Sequence, residues 1–350
     1  MKIQVVILGM FLSTVGNAYE VDDFSARSRT LADASDPLNT EFNRVLDQAV
    51  ADENAAGTPC RDPSTYFPDL PPIYGRLRDL LDTNPIAVIE DFSRDALSAS
   101  LRVETPFEST IYAGVGFADA PVLKGSGVGP SLRISGNSVG ADKLGHFASQ
   151  GFEYFERVYG GATVEDALHY GRDMENGLYG MVTTGVRSFG DLSANEAGMR
   201  FYGEIHFGPN PYIRCEQGQW RRGRSFDIRN YVTPAWDESV NCSEFSDAVG
   251  AVVSAVLAGR GVSCPADLAR CQAIASLPCA AELVSAACLS AAGVSSTSAP
   301  TCLARLPGLP DRTVIPGASC PVETAPSSPE SGYLEGAYEY VSGLIEGYLN

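Results

Sequence analysis

The string Ala141-Asp142-Lys143-Leu144-Gly145-His146-Phe147 sets a carboxylate and an imidazole four residues apart. On a helix turning about 100° per residue, Asp142 and His146 share one face, within an arc of roughly 60° that also takes in Ser149 and Glu153. Such a pair can bind a divalent metal, or the carboxylate can orient the imidazole as a general base. The plainer reading needs no chemistry: Asp142 is favoured in a first helical turn by the helix dipole, and His146 is a hydrogen-bonded residue under the surface.

Two further helical patterns follow. The first opens with Thr163 and Asp166 at capping-box spacing, then offers His169, Asp173 and Asn176 on one face and Glu175 on another. The second opens with Ser188 and Asp191, again at capping-box spacing, so Asp191 has a structural explanation before any chemistry is invoked. Asn195 lies one turn later on the same side, and Gly198 and Gly203 suit close helix packing. His206 is placed to cap the last carbonyls of that helix. Trp236-Asp237-Glu238 puts carboxylates beside an aromatic ring, as glycan sites do, although an acidic pair in a loop is more commonly just solvated. The chain has no G-x-S-x-G, P-loop or H-E-x-x-H string, and its three histidines make any metal site carboxylate-rich.

The order D-K-x-x-H-F, a Glu on the next helix, then R-S-x-x-D-L-x-A-N-x-x-G resembles the signature of the VanZ-like family and of small envelope lipoproteins of the YfiM type. Here it is carried by Asp142, Lys143, His146, Phe147, Glu175, Arg187, Ser188, Asp191, Leu192, Ala194, Asn195 and Gly198, over about 60 residues between 138 and 200. The stretches Ser109-Thr110-Ile111-Tyr112, Ala235-Trp236-Asp237-Glu238 and Asn241-Cys242 resemble uncharacterised secreted bacterial proteins with the same D-K-L-G-H-F helix. The resemblance implies an envelope context and a convergent polar site. Asp142, His146, Glu175 and Asp191 are then its candidate catalytic residues, Lys143, Arg187 and Asn195 its candidate substrate-binding residues, and Asp142 with His146 a candidate metal pair. VanZ-like proteins are membrane-embedded, whereas these helices carry Glu153, Glu156, Arg157, Asp173 and Glu196; Leu178 stands where a Gln often follows the Glu.

The elements around this segment read as mainly α with a small β component, an α+β chain. It has a central three-helix polar-cluster core and disulfide-braced, Ala-rich C-terminal helices. Apolar spacing predicts helices over 38–53, 71–81 and 86–97, and short strands over 109–117 and 131–135. Three helices fill 138–207, an irregular aromatic stretch covers 208–241, and Ala-rich helices span 243–257, 265–277 and 280–292. The expected organisation is a signal peptide over 1–18 and one globular domain over 19–310, divided into a mixed α/β part (19–137), a helical core (138–207) and a cysteine-containing helical part (208–310). A linker over 311–332 and an amphipathic helix over 333–350 complete it.

Of the 350 residues, 43 are acidic and 25 basic, giving a net charge of −18, and the only lysines are Lys2, Lys124 and Lys143. That charge balance leaves no broad cationic surface and excludes general nucleic-acid binding. Met1 to Ala18 has one positive charge, a short apolar run and small residues at its end, the shape of a cleaved secretory signal. No later stretch is long and apolar enough to span a bilayer, so a periplasmic or secreted product is expected. In an oxidising compartment the nine cysteines favour disulfides over zinc, since the tightest spacing, Cys264 to Cys271, is too wide for a C-x₂-C pair; an odd count leaves one thiol over. The favoured function is a non-catalytic envelope protein whose polar cluster fixes three helices or binds a ligand, with an envelope component or small molecule as partner. The alternative is a metal-dependent hydrolase acting on an envelope lipid or glycan, with a divalent metal as its cofactor.

Overall fold

The computed structural model describes residues 21–83, 86–177 and 180–309. The stretches expected to be a signal peptide, a linker and a C-terminal helix, together with Cys320, lie outside the described residues.

Helix α1 (Ser35–Ala56) turns Leu38, Phe42, Val45, Leu46 and Ala49 inward at three- and four-residue intervals and stops at Gly57, whose φ of 76° a left-handed cap requires. Helix α2 (Pro72–Leu81) starts on a proline, which suits the first turn because no amide donor is needed there. The helix expected over 86–97 divides. Strands β1 (Asp82–Thr83) and β2 (Ile86–Ala87) pair antiparallel, and a one-turn helix α3 (Val88–Asp91) runs into a π-helical turn, Phe92–Ala96.

No strand forms over 109–117. There the Thr110 hydroxyl donates to the Phe107 carbonyl and accepts from the Tyr112 amide, offering the backbone a turn in place of a ladder, and Gly114 takes a φ of 97°. The turns still bury Ile111, Tyr112 and Val115, which pack with Val21, Phe24, Val249 and Val253. Strand β3 (Arg102–Val103) and helix α4 (Pro121–Ser126) flank this region. Strands β4 (Ser131–Ile134) and β5 (Asn137–Gly140) form a hairpin with Leu132 opposite Val139, and β3 pairs with the free side of β4. Both residues of its turn, Ser135 and Gly136, have positive φ, as a two-residue hairpin of this twist needs.

The central segment contains four helices where the spacing predicts three: α5 (Asp142–Ala148), α6 (Gln150–Gly160), α7 (Val164–Asn176) and, after strand β6 (Val186–Arg187), α8 (Phe189–His206). The chain breaks at Ser149, and α6 then runs against α8 through two glycines. A Cβ on Gly151 would stand 2.6 Å from Gly198 Cα, and one on Gly198 would stand 2.1 Å from the Phe147 carbonyl oxygen. Gly203 serves a different neighbour, lying under Leu306 rather than under a helix. Phe147 anchors the main core, its ring 5.7 Å from Phe42, 5.2 Å from Phe201, 5.4 Å from Tyr231 and 5.9 Å from Trp236.

Strands β7 (Ile213–Glu216) and β8 (Gln219–Arg222) make a second hairpin, and β9 (Glu244–Phe245) pairs with β6. Helix α9 (Asp247–Gly259) is capped by the Ser246 hydroxyl. The remaining Ala-rich region is more broken than its composition predicts: α10 (Leu268–Ile274), α11 (Ala280–Leu283) and α12 (Ala286–Ala291). Cys279 sits at a φ of 63° after Pro278, and Ser285 caps α12, so neither long helix can run through. Disulfides join Cys60 to Cys215, Cys242 to Cys264, Cys271 to Cys288 and Cys279 to Cys302. Three of the four brace the Ala-rich region, whose own core is the small cluster of Ala235, Val240, Ile274, Val284 and Leu289. None of the described helices is long and apolar enough to cross a membrane.

Candidate functional site

The site begins where β5 runs into α5. At Gly140 a Cβ would fall 1.1 Å from Asp22 Oδ1, and the bare backbone instead donates its amide to Asp22 Oδ2 at 2.9 Å. The chain's first described residues thereby reach into its centre. Two residues past Ala141, Lys143 points inward with its side chain 0% exposed. Its ammonium nitrogen lies 3.2 Å from Asp22, 3.1 Å from Asp142, 2.5 Å from Asp191 and 2.9 Å from Glu238. Room for the lysine comes from Gly190 on α8, where a Cβ would stand 2.7 Å from Lys143 Cε.

One lysine among four carboxylates leaves an excess of negative charge in a dry place, and the protonation pattern follows from it. Burial, reinforced by Asp142 and Glu238, pushes the Asp22 carboxyl well above the usual range despite Lys143. Burial opposes charge on Asp142 too, but Lys143, a hydrogen bond from Asp22 and His146 outweigh it and hold that carboxyl low. Asp22 therefore keeps the proton of the pair and donates it to Asp142; carried on Oδ1, that proton gives a partner to an oxygen that otherwise has none. Glu238 is raised by burial and by its acidic neighbours against the pull of Lys143. Lys143 pays for burial, yet its four carboxylates hold its charge far more firmly than water would.

A second arm of the network runs from Asp191 to Tyr154. The Ser188 hydroxyl accepts the Asp191 amide at 3.0 Å, as the capping spacing predicts, and donates to Glu238 Oε1 at 2.6 Å. The Asp191 carboxylate makes no reciprocal cap; one oxygen faces Lys143 and the other stands 3.3 Å from His146 Nε2. His146 Nδ1 is 3.1 Å from Asn195 Oδ1, and the Asn195 amide nitrogen donates to the Tyr154 hydroxyl at 3.1 Å. Glu175 arrives from α7: one ligand atom each from His146, Glu175 and Asp191 lie within 4.8 Å of one another, all three residues buried.

The sequence candidates separate accordingly. His146, Glu175, Asp191 and Asn195 converge, with Asp142 and Lys143 in the adjoining charge cluster. Asp142 does not belong to the His146, Glu175 and Asp191 group, because its carboxylate is engaged by Lys143 and Asp22. Arg187 stands apart, ion-paired with Glu244 and donating to Asn176 Oδ1. Neither it nor the enclosed Lys143 is placed to hold an anionic substrate. Ser149 and Glu153 leave the Asp142 face at the break between α5 and α6, and Glu153 instead meets the Tyr170 hydroxyl at 3.4 Å. His169 lies near Glu165 and Glu282 at the surface, and His206 bonds the Ile213 carbonyl rather than the end of its own helix.

Asp22 is the residue of the site that the sequence does not single out, and Glu238 is one that it marks chiefly as a solvated loop acid. Asp22 is one of three acids, with Glu20 and Asp23, just past the expected leader. Glu238 belongs to the Trp236-Asp237-Glu238 loop, which is buried rather than solvated: Asp237 accepts from the Ser138 and Ser239 amides, and Trp236 packs on Phe147. The available signal was Lys143 itself, since a lysine between Ala141 and Phe147 on a buried helix must find countercharge. No family model, curated protein or solved structure matches the chain.

Proposed function

We propose that this chain is an exported cell-envelope protein whose Lys143-centred cluster is a non-catalytic structural core. The observation that carries this reading is the enclosure of the Lys143 ammonium by four carboxylates at 2.5 to 3.2 Å with no exposed surface. These contacts tie the segment after residue 20, helices α5 and α8 and the 236–238 loop to one point. The cavity bordering Glu175 and Asn195 measures about 10 Å³, room for a water or an ion but not for a lipid or glycan. The export part of the proposal draws on the leader-like residues 1–18, on the four disulfides and on the resemblance to envelope families.

Lys143→Met tests the structural role. Removing the lysine that is the cation of this buried carboxylate cluster among the described residues is expected to lower the unfolding free energy by about 3–5 kcal/mol in urea titration. A variant as stable as the parent would contradict the proposal.

A further inference from the structure

We infer that the core also holds one divalent cation of the zinc class, bound by His146 Nε2, Asp191 Oδ2 and a Glu175 carboxylate oxygen. The inference rests on the structural reading above and adds an ion to it.

Hydrogen-bond directions behind His146 fix which of its ring nitrogens carries a hydrogen. Asn195 gives its amide nitrogen to Tyr154, so the group it turns to His146 is a carbonyl oxygen, which can only accept. His146 Nδ1 must therefore carry the hydrogen. In the neutral ring Nε2 then bears a bare lone pair, and that lone pair faces the Asp191 carboxylate at 3.3 Å. Two acceptors at that distance repel unless a positive charge lies between them, either a proton on Nε2 or a metal ion. A histidine whose other nitrogen donates to a fixed oxygen is the usual arrangement behind a metal-bound imidazole.

Distance and charge agree with a metal in that position. Metal–ligand bonds of about 2.0–2.1 Å at tetrahedral angles separate two ligand atoms by about 3.3 Å, the spacing found between His146 and Asp191. A Glu175 carboxylate oxygen lies within 4.8 Å of both, near enough to close in as a third ligand, and the small cavity on the far side of Glu175 has room for a water. With the proton of the Asp22–Asp142 pair on Asp22, the carboxylates of Asp142, Asp191 and Glu238 still share the one Lys143 ammonium, so a divalent cation offsets part of the remaining negative charge. One imidazole with two carboxylates suits zinc, and it accepts cobalt as a spectroscopic substitute.

The test uses the full disulfide-bonded protein, stripped with chelator and dialysed, with zinc sulfate or cobalt chloride alone as the probe. One zinc per chain is expected by calorimetry. Tm should rise by about 5 °C at a hundredfold excess over Kd. Cobalt should give the visible absorption of a four-coordinate site. Glu175→Gln, nearly isosteric, should weaken zinc binding at least tenfold while its metal-free Tm stays near the parent's, and Tyr154→Phe should weaken it less. Absence of stoichiometric binding in the folded parent, or undiminished binding in both Glu175→Gln and His146→Ala, would overturn the inference. Loss of stability in Lys143→Met would still stand in that case, so failure of the ion and failure of the structural core are distinguishable.

Discussion

Individual side chains in this protein take their protonation from burial, and Glu153 shows the consequence in an accessible pH range. Its carboxyl is pushed from an ordinary 4.5 to about 7, chiefly by burial, with Asp82 and Glu156 adding to the shift and Arg157 and Arg78 opposing it. The folded chain therefore holds this proton more tightly than the unfolded chain does. The contribution to stability is fully present below about pH 4.5 and is lost as pH rises to about 7. Urea unfolding at a series of pH values should show stability falling across that window, and Glu153→Gln should reduce the slope; an unchanged slope would remove Glu153 as its source. Spacing alone exposed Asp142, His146, Asp191 and Asn195, because each repeats at a helical interval. It could not expose Asp22 or Glu238, which reach Lys143 from segments without periodicity, and it misassigned Asp191, whose capping position explains its amide but not its carboxylate.

Helices and strands meet the site through a few close approaches, and these were only partly legible. The Thr163–Asp166 capping box forms as its spacing requires, with both hydrogen bonds present. The break at Ser149 carries no proline and no glycine at the break itself, so nothing local announces it. It accompanies the crossing of Gly151 over Gly198, which is a tertiary event. Likewise the alternation in 109–117 reads as a strand, yet Thr110 and Gly114 turn the chain and its apolar residues are buried without a ladder. Because a Cβ on Gly198 would meet a backbone oxygen at 2.1 Å, Gly198→Ala must push α6 and α8 apart. The expected loss is about 3 kcal/mol or more, read as a lowered urea midpoint at constant m-value. Gly160→Ala, where no atom lies within 4 Å, serves as the control that should not lose stability.

For the molecule as a whole, opposite devices serve the two ends of the chain. The helical core from α1 to α8 is closed by aromatic packing and by the Lys143 cluster. The Ala-rich region, with little bulk to bury, depends on three disulfides and on Asn241, whose side chain bonds the carbonyls of Ala235 and Leu283 and the amide of Ser285. Composition made the bracing of that region legible, although six cysteines in it left the pairing open. The central claim is that the Lys143 cluster is a closed structural core and not a site that opens to a substrate. Ligand sites belong to the least stable parts of a fold, whereas a structural core exchanges its amides only when the whole molecule unfolds. Native-state hydrogen exchange across the amides of residues 140–147 and 188–195, measured at rising urea, tests this directly. The predicted result is that these amides share one opening free energy equal to that of global unfolding. Exchange through a local, urea-independent opening of either segment would contradict it.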